Sequence, residues 1–462
     1  MILILTLIIS LLITATSSIT AQILGITFLA LVLWSLYPKQ HFLSSIIIVA
    51  LLSVFQAALS ISEFMNSLFA SYGGSGLWII ISGFILAEAM NTSDLARRIA
   101  LWITASLSAN ANTIVLSVAI VSLAVAPLSP STTAKAFLLL PICNSLVEAL
   151  SVEKGKSRYG TGVMLMAMTA NNICATGFLT STVPNSISSI YIKDATGISF
   201  SWFDWFRMAF PLTLILLFLS WLICRWMFRP EIVSGSETLT CISNLRRELG
   251  PLSSKEIVVA VVFSTAVLLW ITERFHRLNA GLISLALCGI LFIPRIGVLK
   301  IRGVAKQTPW GSIGLFMASI FLARAVGRWR AFDSAAFVIF RALNVERLSH
   351  YHFLLLVILV SMLLHVVFTS TTVYATVMIP LTIALARLHD IQPQLIAIPI
   401  AFLAPLSVIL PVNTIPNIVF YSSGCFSQKQ MITYGLLVSL LSVVLVLAVG
   451  LPYWNFLGLI QT

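Results

Sequence analysis

Apolar runs follow one another along almost the whole chain, near 2–16, 20–37, 43–60, 76–92, 111–148, 161–192, 208–228, 256–272, 279–296, 311–327, 353–387, 394–424 and 431–457. Most approach the ~20 residues that cross a bilayer as a helix. Four of them are interrupted. Segments 111–148 and 353–387 are too long for one span, and each carries hydroxyl residues at mid-length: Pro130-Ser131-Thr132-Thr133-Ala134 in the first, Thr369-Ser370-Thr371-Thr372-Val373 in the second. Each predicts a helical hairpin that enters and leaves on one side. Segments 161–192 and 394–424 carry Thr182-Val183-Pro184-Asn185 and Thr414-Ile415-Pro416-Asn417. Proline removes a donor and disfavours helix at the residue before it, so each predicts a broken helix.

The interruptions share a register. Ser131 to Ser370 and Pro141 to Pro380 are both offsets of 239 residues, and Pro184 to Pro416 is one of 232. Leu86-Ala87-Glu88-Ala89 matches Leu322-Ala323-Arg324-Ala325 at an offset of 236, each ahead of its hairpin. The chain is therefore read as two halves, 1–228 and 257–462, joined by a polar cytoplasmic linker at 229–256 that holds Pro230, Gly235, Gly250 and Pro251. With the N-terminus inside and non-crossing hairpins, the fold class is an all-α integral membrane protein. It has about eleven transmembrane helices plus two re-entrant hairpins. An odd number of crossings between equivalent elements makes the repeat inverted. Non-helical backbone survives at membrane depth only where protein buries it or water reaches it. Paired interruptions thus point to a transporter's mid-membrane site.

Composition agrees. Hydrophobic residues make up 59% of the chain and charged residues 9%, against about 25% charged in a soluble domain. The net charge of +12 resides in loop clusters such as Arg97-Arg98, Lys154/Lys156/Arg158 and Arg295/Lys300/Arg302/Lys306. That pattern orients spans and meets anionic lipid rather than nucleic acid. The segment Ile2 to Thr14 lacks a basic n-region and a cleavage site, so it reads as a retained helix; with no transit peptide, the expected location is a bacterial inner membrane. The six cysteines show no metal-ligand spacing, and are expected to be reduced packing residues. The chain has no H-E-x-x-H, P-loop, G-x-S-x-G or Rossmann fingerprint, which argues against an enzyme or a bound cofactor other than an ion.

The broken elements carry the chemistry. Helix N-termini and unpaired N–H groups favour an anion's carboxylate, and Ser131, Thr132, Thr133, Ser370, Thr371 and Thr372 add donors. Thr182, Pro184, Asn185, Thr414, Pro416 and Asn417 complete the expected substrate site. The same hydroxyls with freed carbonyls also suit a hard cation such as Na⁺, with Ser131, Thr132, Ser181, Thr371 and Asn413 as the ligands. Back-bonding to the preceding turn is the ordinary use of Ser and Thr in apolar helices; four elements in two matched pairs outweigh it. Lys135, two residues after Thr133, is expected to face a cavity, an anion or a carboxylate and to join the substrate site, or else to snorkel to the interface; Tyr374 stands in its place in the second half. His365 either serves substrate or protons or is structural. Glu88 and Arg324 form a proton or gating pair, or are simply helix-end charges.

At these motifs the sequence resembles the divalent anion:sodium symporter family of the ion transporter superfamily. The run from Ala126 to Ala136 is similar to the "P-S-N-T-A-R-A" tip of the 2-oxoglutarate/malate translocators and the citrate or tartrate:succinate antiporters. His365 to Thr372 is similar to their "H-Y-F-F-A-S-T-T". Leu410-Pro411-Val412-Asn413-Thr414-Ile415-Pro416-Asn417 resembles the symporter branch's "L-P-V-S-T-P-P-N". The resemblance implies a secondary transporter of di- or tricarboxylates, elevator-type alternating access and a homodimer. Thr132 and Thr371 stand where the family has Asn, and Val183 and Ile415 where it has the first Pro of each pair. A hydroxyl does not hold the amide's reach, so the expectation is anion exchange without Na⁺. The alternatives are Na⁺-coupled dicarboxylate symport, a sulfate- or phosphate-like substrate, a Na⁺/H⁺ exchanger, and, from another class, a channel or receptor.

Overall fold

The computed structural model describes residues 18–460 apart from 38–39, 60, 74, 108–110, 149–154, 230–242, 245, 277, 279 and 343. The expected first helix at 2–16 and much of the linker at 229–256 lie outside the described residues, within which every regular element is helical. The first half runs α1 (Ile19–Leu36), α2 (His41–Leu59), α3 (Ile61–Tyr72), α4 (Ser75–Thr92), α5 (Leu95–Leu107), α6 (Ala111–Val125), α7 (Thr132–Glu148), α8 (Arg158–Thr176), α9 (Val183–Thr196) and α10 (Trp202–Met227). The second runs α11 (Ser254–Ile271), α12 (Ala280–Ile290), α13 (Trp310–Arg328), α14 (Ala331–Ala342), α15 (His350–Leu364), α16 (Thr371–Leu388), α17 (Pro393–Leu403), α18 (Ile415–Tyr421) and α19 (Gln428–Leu445).

Among the described residues, six helices are long and apolar enough to cross a bilayer, or seven if α4 and α5, bent by 68°, count as one. The expected figure of about eleven is not reached on length. The reason is local: α6 and α15 hold 15 residues each, and α12 and α17 only 11. These are limbs of hairpins, halves of broken helices or short apolar helices rather than full spans.

Both hairpins and both breaks form where the polar interruptions stand. α6 and α7 are joined through a tight 3₁₀ turn at Ala126–Leu128 and an extended Ser129. At the tip the Ser131 hydroxyl accepts from Ala134 N at 3.1 Å, and in the second hairpin Ser370 accepts from Val373 N at 3.5 Å. These serines cap α7 and α16, satisfying amides that a helix start leaves unpaired. α8 gives way at Gly177 to a 3₁₀ turn and then α9, and α17 to α18 in the same manner.

The interior is organised around α8, which is buried at every position from Tyr159 to Thr176, as expected of a helix surrounded by others. α6, α7 and α10 pack on it. The halves interlock crosswise: α9 lies on α16, and α18 on α7. On the other side α13 packs along α2, and α12 along α4. We refer to this second group as the scaffold. Gly83 of α4 meets the first tip there, where a Cβ would stand 3.0 Å from Pro130 Cδ.

One repeated feature was not anticipated. After α4 the chain turns through Asp94 (φ 62°) into α5, and after α13 it turns through Arg330 (φ 48°) into α14. Asp94 and Arg330 stand at the same 236-residue offset as the Glu88 and Arg324 segments. α5 buries Leu95, Ala96, Ala100, Leu101 and Thr104, and α14 buries Ala331, Phe332, Ala336 and Phe340. Both have one apolar face, the mark of helices that lie along a surface. From α5, Arg98 reaches into the second half, donating to Leu249 O at 3.1 Å, Gly250 O at 2.9 Å and the buried Glu256 carboxylate at 3.2 Å.

Candidate functional site

The two hairpin tips converge. Ser131, Thr132 and Thr133 of the first and Ser370, Thr371 and Thr372 of the second line one cavity of about 120 Å³ together with Thr182, Thr414 and Pro416. The volume is well below the ~300–1,000 Å³ of drug-sized ligand sites, which suits a small molecule. The wall is completed from the scaffold by His41, Phe84 and Ser312. Sequence reasoning missed these three because each stands singly in its run. Only His41, a polar residue opening an apolar stretch, gave any signal; its Nε2 lies 2.9 Å from Trp34 O.

The electrostatic character of the cavity is positive. No acidic side chain lines it. α7, α9 and α16 all begin there, with 17, 14 and 18 residues, and aligned peptide dipoles make such N-termini partly positive. The tip serines use lone pairs to accept from the cap amides. Their hydroxyl hydrogens remain for an anion's oxygens.

Asn185 and Asn417 lie outside the lining, turned inward to hold the breaks shut. Asn185 Nδ2 donates to Ala175 O at 2.7 Å and Phe178 O at 2.8 Å. Asn417 Nδ2 donates to Ser407 O at 2.8 Å and Leu410 O at 3.0 Å. Donors and acceptors alike are related by the 232-residue offset. A broken helix leaves carbonyls without partners, and the buried amides supply them. Pro184 likewise stands outside the lining, although its counterpart Pro416 is part of it.

Lys135 is not in the lining either. It is 2% exposed, and its Nζ donates to Ser181 O and Ser181 Oγ at 2.8 Å each and to Ala126 O at 3.3 Å. Three ammonium donors meet three oxygens, one helical turn behind the Ser131 tip. The equivalent place in the second half is filled differently. Tyr374 replaces Lys135, its hydroxyl donating to Ser361 O at 3.0 Å. Asn413, counterpart of Ser181, donates its Nδ2 to His365 O and, at 3.4 Å, to Phe368 O. His365 O is the counterpart of Ala126 O, and the His365 ring stacks on Tyr374 at 3.7 Å. His365 thus stands behind the second tip, outside the lining. Ala126 O, Ser181 O, His365 O and Phe368 O are thus occupied by protein N–H donors.

Glu88 and Arg324 are not brought together as a pair. Glu88 accepts from Thr92 within its own helix at 3.1 Å, whereas Arg324 acts on Asp194 of α9.

Residues 1–460 match the sodium:sulfate symporter transmembrane region. The chain is 29% identical to a sodium-dependent dicarboxylate transporter, SdcS, of Staphylococcus saprophyticus, over 82% of this chain and 76% of that protein. It is 28% identical to SdcS of Staphylococcus aureus with the same coverage, and 24% identical to a membrane protein of Cupriavidus necator over 86% of this chain and 78% of the other. Its fold is similar to that of the YdaH transporter of Alcanivorax borkumensis, with a TM-score of 0.55 at 13% identity, covering 87% of this chain and 89% of that one.

Proposed function

The chain belongs to the sodium:sulfate symporter family, and from that premise we propose that it exchanges small di- or tricarboxylate anions across a bacterial plasma membrane. It is a multi-pass membrane transporter and not an enzyme. The finer reading assigns the substrate carboxylates to the hydroxyls of Ser131, Thr133, Ser370 and Thr372 and to the helix N-termini behind them, with Thr132, Thr371, Thr182 and Thr414 as walls. Access alternates by an elevator-like displacement of the hairpins and broken helices against the scaffold, in a homodimer.

The observation that carries exchange over symport is the Lys135 ammonium in its ring of Ala126 and Ser181 oxygens. A small hard cation needs several oxygens at once. Here Ala126 O and Ser181 O already serve a covalently attached positive charge in one half, and His365 O and Phe368 O the Asn413 amide in the other. While protonated, a cation tethered to the chain does not leave with the substrate as Na⁺ would, and the empty carrier is then costly to return through an apolar barrier. A returning anion offsets that cost, which is the physical basis of obligatory exchange.

Sodium symport is the second reading. It is favoured by the Oδ1 atoms of Asn171 and Asn413, buried acceptors without a hydrogen-bond partner that a cation would satisfy. The relatives named as sodium-dependent point the same way. The two part in proteoliposomes. Exchange predicts uptake of labelled succinate, malate or citrate only into vesicles preloaded with unlabelled anion, equally in sodium and choline buffers. Uptake into empty vesicles driven by an inward Na⁺ gradient, and abolished by choline, overturns exchange.

A further inference from the structure

A second cavity, of about 270 Å³, lies between α9, α13 and α16 and is lined by four arginines, Arg324, Arg328, Arg330 and Arg387, against two acids, Asp194 and Asp333. Both α9 and α16 start at the tips and run away from them. Arg387 follows Thr371 by sixteen residues, so it stands roughly 24 Å from the transport site at a helix rise of 1.5 Å per residue. Arg330 is committed to Asp333 at 2.5 Å. Arg324 and Arg387 stand with Asp194, whose carboxylate feels Arg324 and Lys193. The excess of positive charge over the six groups is two, the charge of a dicarboxylate with opposite sign.

Arg324 occupies the junction of this cavity with a neighbour of about 340 Å³, which it also lines and which follows α9 past Ser189 and Ser186 to Leu179 at the break. The Arg324 Nε is buried and has no hydrogen-bond partner. An unmade hydrogen bond on a buried charged group is costly, and a guanidinium edge matches a carboxylate in bidentate geometry. We propose that this cavity is a staging site for the transported class of anion. Arg324 and Arg387 grip a polycarboxylate at the mouth of the crevice between α13 and α9, and Asp194 is the internal carboxylate it displaces. The chemical class rests on the carboxylate reading above; the site rests on its own geometry. A cavity with an excess of positive charge also raises the local concentration of anions.

The test is thiol protection. Ala195 lines the cavity, and the native cysteines at 143, 174, 224, 288 and 425 are buried, so Ala195→Cys in a Cys241→Ser background gives one addressable thiol. Its reaction with a neutral maleimide is followed in the full-length protein with citrate, succinate or sulfate present. Citrate and succinate are expected to slow labelling at least five-fold, and to do so equally when Ser131→Ala and Ser370→Ala have weakened the tips. Arg387→Gln, at an exposed position that leaves the fold intact, and Arg324→Gln are each expected to abolish protection. Absence of protection overturns the site, as does protection that vanishes in the tip variant or persists in Arg387→Gln. Equal protection by sulfate overturns the carboxylate assignment. Counterflow on the same protein separates the two claims: protection without carboxylate counterflow sinks the transport reading and leaves the site.

Discussion

Replacing Lys135 with methionine removes one positive charge and keeps most of the side-chain volume. Ser131 and Lys135 are four residues apart, a rise of about 6 Å along α7, which sets the order of the separation between a tip-bound anion and the ammonium. At an effective dielectric near 20 that separation is worth about 3 kcal/mol, or roughly a hundred-fold in affinity. The local structural loss is smaller than the three broken bonds suggest, because Ala126 O and Ser181 Oγ, which both lose the lysine, stay bonded to each other at 2.8 Å. Succinate affinity measured on purified protein in choline is therefore expected to fall about a hundred-fold, with part of it recovered in Na⁺, because the vacated oxygens then offer a place to a small cation. Lys135→Arg retains the charge and is expected to lose far less. Melting temperatures of all three proteins separate site effects from misfolding. A methionine variant with a normal melting temperature that binds succinate in choline as tightly as the parent, with no response to Na⁺, refutes the tethered-cation argument.

Asn417→Ala orphans two buried carbonyls and removes the acceptor for Asn172 Nδ2 at 3.1 Å, so thermal unfolding should show a loss of about 2–5 kcal/mol; Asn185→Ala should behave alike, and an unchanged melting temperature in either would contradict the role assigned to the amides. Gly435→Ala places a Cβ 2.9 Å from Ile409 Cα and 3.0 Å from Val408 C, backbone that cannot step aside, and should cost about 1–3 kcal/mol, read as a lowered unfolding midpoint. Arg98→Ala leaves the Glu256 carboxylate, 2% exposed, with the Ser253 amide at 2.7 Å but no cation, and should destabilise the protein by about 2–3 kcal/mol. Adding Glu256→Gln should recover much of that loss; a double variant no better than the single one would show that the carbonyl bonds alone matter.

The hairpins and breaks were legible because hydroxyls, proline and asparagine inside apolar runs have few stable explanations, and their offsets repeat. The direction in which each side chain points was not. Asn185 and Asn417 were expected at the substrate, yet the carbonyls freed by each break needed donors nearer at hand, and a backbone requirement of that kind leaves no separate mark in the sequence. Lys135 was expected near the anion, but a position one turn into α7 falls on the face packed toward the 3₁₀ turns rather than on the tip. α5 and α14 escaped notice because they are short and half polar, so a search for long apolar runs passes over them. Their periodicity was available: Leu95, Ala96, Ala100 and Leu101 mark one face, and Ala331 repeats Leu95 at the 236-residue offset.

Those two helices have a mechanical consequence. α5 has 13 residues and α14 has 12, so they are levers of nearly equal length, about 18–20 Å. Each is pivoted on a scaffold helix through a left-handed residue at the matching point of its half, Asp94 or Arg330. A non-glycine residue in that conformation costs on the order of 1 kcal/mol and persists only where its surroundings dictate it, which makes each pivot a defined angle rather than a loose tether. On the elevator reading, two matched levers on matched pivots would act as a parallel linkage: a load hung between them shifts without turning. If the hairpins move as proposed above, their tips then stay level with each other, and the six hydroxyls that meet between them keep one arrangement throughout.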